Sequence, residues 1–169
     1  MIYVCPLSKV GETVVSTKAG RLLSLLSEGT EMTRPAEITE VDHLLLRLHD
    51  IAEPQDGMTL PGEQHVRGVL DFARTWDRTR PMVINCYAGI SRSTASAYMI
   101  AAALAPERDE RELADTLRKA SPSATPNIRL IALADHVLGR GGRMVEAIQS
   151  IGRGADAFEG LPFALPIGR

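Results

Sequence analysis

Apolar residues along this chain fall into short continuous runs and into longer stretches with helical spacing. The short runs are rich in Leu, Ile and Val and predict buried strands. They cover residues 1–6, 21–26, 42–48 and 81–85. The run over 42–48 is so continuous that we expect it to be a central strand of the sheet.

Helical periodicity is clearest in residues 61–76, where Val66, Val69, Leu70 and Ala73 share one face. Weaker or shorter periodic stretches predict the other helices at 7–17, 91–104, 109–120, 127–138 and 144–151. The stretch 91–104 is apolar nearly all round, which indicates a buried helix. Strands come early and helices late, so we predict an α/β fold with a small central, largely parallel sheet flanked by helices.

The length of 169 residues suits one domain with a substantial core. We assign residues 1–151 to that domain. Residues 152–169 are rich in glycine and proline, and we expect them to form an irregular C-terminal extension packed on the same domain.

Composition and charge exclude several classes of function. A formal net charge of -2 gives no reason to expect a nucleic-acid partner. The most apolar stretch, 95–105, is shorter than the roughly 20 residues that span a bilayer, and no secretory signal is visible. The two cysteines show no pairing pattern, so we expect a cytoplasmic protein with free thiols and no membrane partner.

The chemistry of the chain is concentrated where the run 81–85 ends. Cys86 is followed by five residues and then by Arg92 and Ser93, at the start of a predicted helix. A strand-to-helix turn directs backbone N–H groups at an anion, and the helix amino terminus adds positive charge. Gly89 lets the backbone curl tightly, and the planar guanidinium of Arg92 matches two phosphate oxygens. These donors favour the thiolate form of Cys86.

The run Cys-Tyr-Ala-Gly-Ile-Ser-Arg-Ser over residues 86–93 resembles the signature loop of the cysteine-dependent protein tyrosine phosphatase superfamily. It is most similar to the compact dual-specificity branch and to the small bacterial phosphatases, and the resemblance extends from Asp50 to about Leu138. It implies a phosphomonoesterase that works without metal or other cofactor through a phosphocysteine intermediate. The substrate would be a phosphorylated protein or a small phosphoester.

The resemblance also assigns roles to residues of the loop. Cys86 would attack phosphorus, Arg92 would hold the phosphoryl group, and Ser93 would stabilise the thiolate when it leaves. The residues expected to bind the substrate phosphate are Tyr87, Ala88, Gly89, Ile90, Ser91 and Arg92.

A proton donor for the leaving group is expected on the loop after the preceding strand, and the resemblance implies an aspartate. Asp50 is the favoured candidate, because it directly follows the strand predicted at 42–48. Asp56 is the alternative, although the sequence Asp56-Gly57 is also typical of a turn. Glu53 is a weaker third candidate.

Two asparagines are predicted to support the loop. Asn85 stands where the superfamily usually has histidine, and a neutral amide cannot carry the charge that stabilises a thiolate. We therefore expect weaker activity at acid pH. Asn127 resembles an asparagine that braces the loop in the dual-specificity branch, and it is also a good helix N-cap. The four histidines lack metal-ligand spacing and are predicted to be surface or packing residues.

Other functions remain open from the sequence. The substitution Asn85 would suit a catalytically weak phosphate-binding module. A phosphoinositide phosphatase is less favoured, because the loop lacks extra lysines. A sulfur-transfer or redox enzyme of the rhodanese or arsenate-reductase kind also builds a cysteine-based anion loop, but the run after Cys86 favours phosphatase chemistry.

Overall fold

A computed structural model describes residues 1–168, in which one five-stranded sheet carries helices on both faces. The strands are β1 (Ile2–Pro6), β2 (Arg21–Leu26), β3 (His43–Arg47), β4 (Met82–Cys86) and β5 (Phe163–Leu165). The helices are α1 (Val10–Thr17), α2 (Glu63–Arg74), α3 (Arg92–Leu104), α4 (Glu110–Ala120), α5 (Ile128–Val137) and α6 (Arg143–Ser150). No helix among these is both long and apolar enough to cross a bilayer.

The strand order is β3-β2-β4-β1-β5, with β4 at the centre. β1 to β4 are parallel to their neighbours, and only β5 runs antiparallel, against β1. The predicted α/β fold with a largely parallel sheet is therefore confirmed. Because the carboxyl ends of parallel strands meet at one edge, Cys86 and the loops after β1, β2 and β3 lie together.

The prediction that residues 42–48 form a central strand is wrong, because β3 is the edge strand. Every residue of β3 is only partly buried. Leu44 and Leu46 pack on the main core from one face of the sheet. A continuous apolar run shows that the two faces of a strand meet apolar groups, but it does not show that both edges are paired.

The prediction of irregular structure over 152–169 is also wrong for Phe163–Leu165, which form β5. Phe163 and Leu165 are buried and pair with Val4 and Ile2. Pro162 and Pro166 flank this three-residue strand, so its alternation was too short to separate from a turn-rich segment. Arg169 lies outside the described residues.

The two faces of the sheet have different cores. α1 alone covers one face, where Val10 and Val14 pack with Leu22 and Val83. The other face carries the remaining helices around α3, which is buried from Arg92 through Ala102 as its apolar sequence predicted. This central helix fixes the position of the residues that follow Cys86.

Candidate active site

The carboxyl end of β4 places Cys86 at the amino terminus of α3. Cys86 is 2% exposed, and its Sγ lies 3.1 Å from Ser93 Oγ. The residues between them, 87–91, form the β4–α3 loop. Because the first N–H groups of a helix have no partner within it, this loop and helix end provide donors for an anion.

Gly89 allows the β4–α3 loop to pack against the end of β1. Its φ is +70°, and a Cβ there would lie 2.7 Å from Pro6 N and 2.8 Å from Cys5 C. Those are backbone atoms, so a side chain at this position would displace the loop or the strand. The Leu7 N–H also donates to Tyr87 O at 3.0 Å. The sequence therefore requires glycine here for both conformation and space.

Arg92 is held on one side only. It is 6% exposed, and its Nη1 donates to Leu48 O at 2.8 Å and to Ser27 Oγ at 3.1 Å. Its Nε is buried and makes no hydrogen bond within residues 1–168, a property it shares with Arg108 Nε. A buried donor without an acceptor is costly, so the guanidinium has a strong preference for an acceptor beside Cys86.

Asp50 lies next to the β4–α3 loop and is fixed by two donors. Its Oδ1 accepts from Ser91 Oγ at 2.7 Å and from Asn127 Nδ2 at 2.8 Å. Asn127 Oδ1 also accepts from the Leu130 N–H at 3.1 Å, so Asn127 is the N-cap of α5 as predicted. One asparagine thus caps a helix and orients the carboxylate of Asp50.

Asp56 and Glu53 are placed differently. Both are exposed, and Asp56 lies in the turn where the Met58 N–H donates to Gln55 O and Gly57 has a φ of +72°. Among the three candidate acids, Asp50 is the one whose side chain is bonded to the β4–α3 loop.

Asn85 lies beneath the nucleophile in a buried chain of hydrogen bonds that crosses three strands. Its Oδ1 accepts from Ser24 Oγ at 2.7 Å, and Ser24 Oγ lies 3.0 Å from His43 Nε2. Burial lowers the pKa of His43, and nearby Arg34 lowers it further. The sequence missed this chain. Its one signal was Ser24, a lone polar residue within the apolar run of β2.

Cys5 lies on β1 opposite Asn85 and is fully buried. Burial raises the pKa of its thiol to about 12. Cys5 is therefore a neutral packing residue at physiological pH. No group of three or more His, Cys, Asp or Glu side chains in residues 1–168 is arranged to hold a metal ion.

Residues 153–161, here called the C-terminal strap, run along the outer side of the β4–α3 loop. The Gly160 N–H donates to Ala88 O at 2.7 Å, and Ser8 Oγ donates to Glu159 Oε2 at 2.9 Å. Thr125, on the α4–α5 loop, joins both parts, since its N–H donates to Ile90 O and its Oγ1 accepts from the Gly154 N–H. Sequence reasoning placed this segment on the domain but did not predict its contact with the site.

Comparison with known proteins supports this fold without a close sequence relative. No protein-family model matches the chain, and no curated protein is significantly similar to it in sequence.

Several solved structures are similar to this chain. The Cydia pomonella PTP-2 phosphatase has a TM-score of 0.62 at 16% identity, over 80% of this chain and 84% of its own. DUSP15 has a TM-score of 0.63 at 17% identity, over 92% and 94%. The Trypanosoma brucei protein tyrosine phosphatase TbPTP1 has a TM-score of 0.54 at 17% identity, over 88% and 72%. The chain has the fold of the cysteine-dependent protein tyrosine and dual-specificity phosphatases.

Proposed function

We propose that this protein is a cysteine-dependent phosphomonoesterase that removes phosphate from tyrosine or from serine and threonine through a phosphocysteine intermediate. The observation that carries the proposal is the pairing of Cys86 with Arg92 across the β4–α3 loop. The guanidinium is 6% exposed and keeps a buried Nε–H without an acceptor. A bound phosphate oxygen would satisfy that donor in a charge-assisted bond.

In the first step, the Cys86 thiolate attacks phosphorus, so that an S–P bond forms as the bond from phosphorus to the ester oxygen breaks. Arg92 and the N–H groups of the β4–α3 loop stabilise the negative charge on the transferring oxygens. Asp50 gives a proton to the leaving oxygen. Its Oδ1 already accepts two hydrogen bonds, which leaves Oδ2 as the atom that carries the proton.

In the second step, water attacks the phosphocysteine, the S–P bond breaks, and inorganic phosphate and the Cys86 thiolate are formed. Asp50 takes a proton from that water and so returns to its acid form. Ser93 Oγ, 3.1 Å from Sγ, donates to the departing sulfur. A positioned hydroxyl at this distance lowers the energy of the thiolate leaving group.

The test is hydrolysis of p-nitrophenyl phosphate and of a phosphotyrosyl peptide in the presence of a chelator, with wild type beside Cys86→Ser. We expect chelator-resistant, vanadate-sensitive turnover that falls to background in Cys86→Ser. The matched control is Cys5→Ala, which removes the other thiol of the chain and should retain turnover.

Two outcomes would contradict the proposal. Binding of tungstate or vanadate to the folded protein without any turnover would indicate a phosphate-binding module. Turnover that survives in Cys86→Ser would exclude the phosphocysteine intermediate.

A further inference from the structure

The C-terminal strap separates two cavities at the rim of the candidate active site. One, of about 270 Å³, is lined by Asp50, Ile90 and Ser91 together with Thr125 and the start of the strap. The other, of about 360 Å³, lies between residues 120–123 and the strap, and includes Leu161 and Phe163. Residues 155–157 line both cavities. The second cavity is therefore continuous with the rim of the site.

The side chains on the strap are unusually apolar for their exposure. Phe158 is 89% exposed and Leu161 is 84% exposed, on either side of the buried Gly160 that is bonded to Ala88. Tyr87, within the β4–α3 loop, is 57% exposed. Adjacent exposed apolar side chains of this size are typical of an interaction surface, and aromatic residues are common anchors in such surfaces.

The backbone of the strap is fixed, so these side chains are presented in one place. Arg118 donates to Gly152 O and Pro122 O, which ties the residue before the strap to the α4–α5 loop. A Cβ on Gly154 would lie 2.6 Å from Ser123 C, which shows how closely the two backbones approach. A preorganised surface loses little conformational entropy when a partner binds.

We propose that the C-terminal strap recognises the polypeptide around a phosphorylated residue, and that a large apolar side chain of the substrate occupies the cavity between the strap and residues 120–123. The proposal rests on the proposed function, since a phosphate bound at Cys86 places the rest of the substrate against the rim. It makes phosphorylated polypeptides with an apolar residue near the phosphate the preferred substrate class.

The charges on the strap favour a polypeptide over a lipid surface. Asp156 and Glu159 are exposed carboxylates on the same segment as Phe158 and Leu161, and Arg153 is ion-paired with Asp156. An anionic membrane attracts clusters of Lys and Arg and is repelled by carboxylates. The apolar side chains of the strap therefore suit a peptide rather than a phosphoinositide in a bilayer.

The experiment compares kcat/KM for two phosphotyrosyl peptides, which differ in having Leu or Ala near the phosphotyrosine, with kcat/KM for p-nitrophenyl phosphate. Phe158→Ala and Leu161→Ala should each lower the ratio of Leu-peptide to aryl-phosphate kcat/KM by about tenfold, mainly through KM. Both residues are exposed, so these variants should fold. The matched control is Val41→Ala, an equally exposed apolar residue (82%) before β3, at the opposite edge of the sheet.

Equal losses on both kinds of substrate, or no loss on the Leu peptide, would overturn the proposal. So would a larger effect on phosphoinositide vesicles than on the peptide. Affinity of the Leu peptide for Cys86→Ser, with and without Phe158→Ala, tests the strap even if wild type shows no turnover. Lower affinity in the double variant supports the strap, and unchanged affinity contradicts it, whichever way the proposed function is decided.

Discussion

The two sides of the β4–α3 loop are held in opposite ways. On the inner side, Asn85 and Ser24 are fully buried, and hydrogen bonds between side chains link them to His43. On the outer side, the C-terminal strap is fixed through its backbone, by bonds such as Gly160 N–H to Ala88 O, while its large side chains point to solvent.

This difference separates what each side can change. A buried polar group that loses its partner costs free energy of unfolding and shifts the loop that depends on it. Exposed side chains on a fixed backbone can be replaced with little effect on stability. The inner side therefore governs stability and chemistry together, whereas the outer side governs which substrates fit.

The largest expected effect concerns Asp50, which is bonded to the loop between the two sides. Asp50→Asn keeps the shape that accepts from Ser91 and Asn127 but removes the proton donor. We expect kcat on a phosphoester with a poor leaving group to fall by about 10²–10⁴, measured by steady-state phosphate release. Asp56→Asn is the control and should stay within about twofold. A larger loss in Asp56→Asn than in Asp50→Asn would reverse the assignment of the acid.

A smaller effect is expected from Ser24→Ala, which leaves Asn85 Oδ1 buried without its 2.7 Å partner. We expect the free energy of unfolding to fall by about 1–3 kcal/mol, measured by urea denaturation. Ser150→Ala, which removes a hydroxyl bonded within its own helix turn, should change it by less than about 0.5 kcal/mol. If the two variants are equally stable, the buried chain does not support the inner side.

The smallest effect is a dependence of stability on pH. Because burial lowers the pKa of His43 and of His65 in the folded state, the unfolded chain binds more protons below the ordinary histidine pKa of about 6.5. The free energy of unfolding should thus decrease as pH falls from about 7 to 5, by at most ~1.4 kcal/mol per pH unit for each histidine.

His43→Gln should make this decrease shallower, as measured by denaturation at several pH values. Its difference from wild type at pH 8, where the imidazole is neutral in both states, corrects for lost contacts. An unchanged slope would show that His43 does not contribute to the pH dependence.

The parts of the molecule that could be predicted from sequence are those set by local pattern. The spacing from Cys86 to Arg92, with Gly89 between them, predicted a strand, a tight loop and a helix start, and the structure has β4 and α3 there. Asn127 could be predicted as an N-cap because capping depends on neighbours three residues away.

The parts that could not be predicted depend on pairing between distant segments. The position of β3 at the edge of the sheet follows from strand order, which the apolar run over 42–48 does not encode. The same holds for Ser24 and His43, which approach Asn85 only through the register of β2 with its two neighbours. The contact of Gly160 with Ala88 joins residues far apart in the chain and gave no local signal.

The pairing of Ile2 with Leu165 has a consequence for biosynthesis. While the ribosome is still adding residues after α6, the emerging chain already contains Cys86, Arg92 and Asp50, but the outer edge of β1 has no partner strand. An open edge is a template for pairing with other chains. A nascent chain at this stage would expose that edge beside an unfinished rim, so a chaperone that shields β1 during the last part of translation should raise the yield of folded protein.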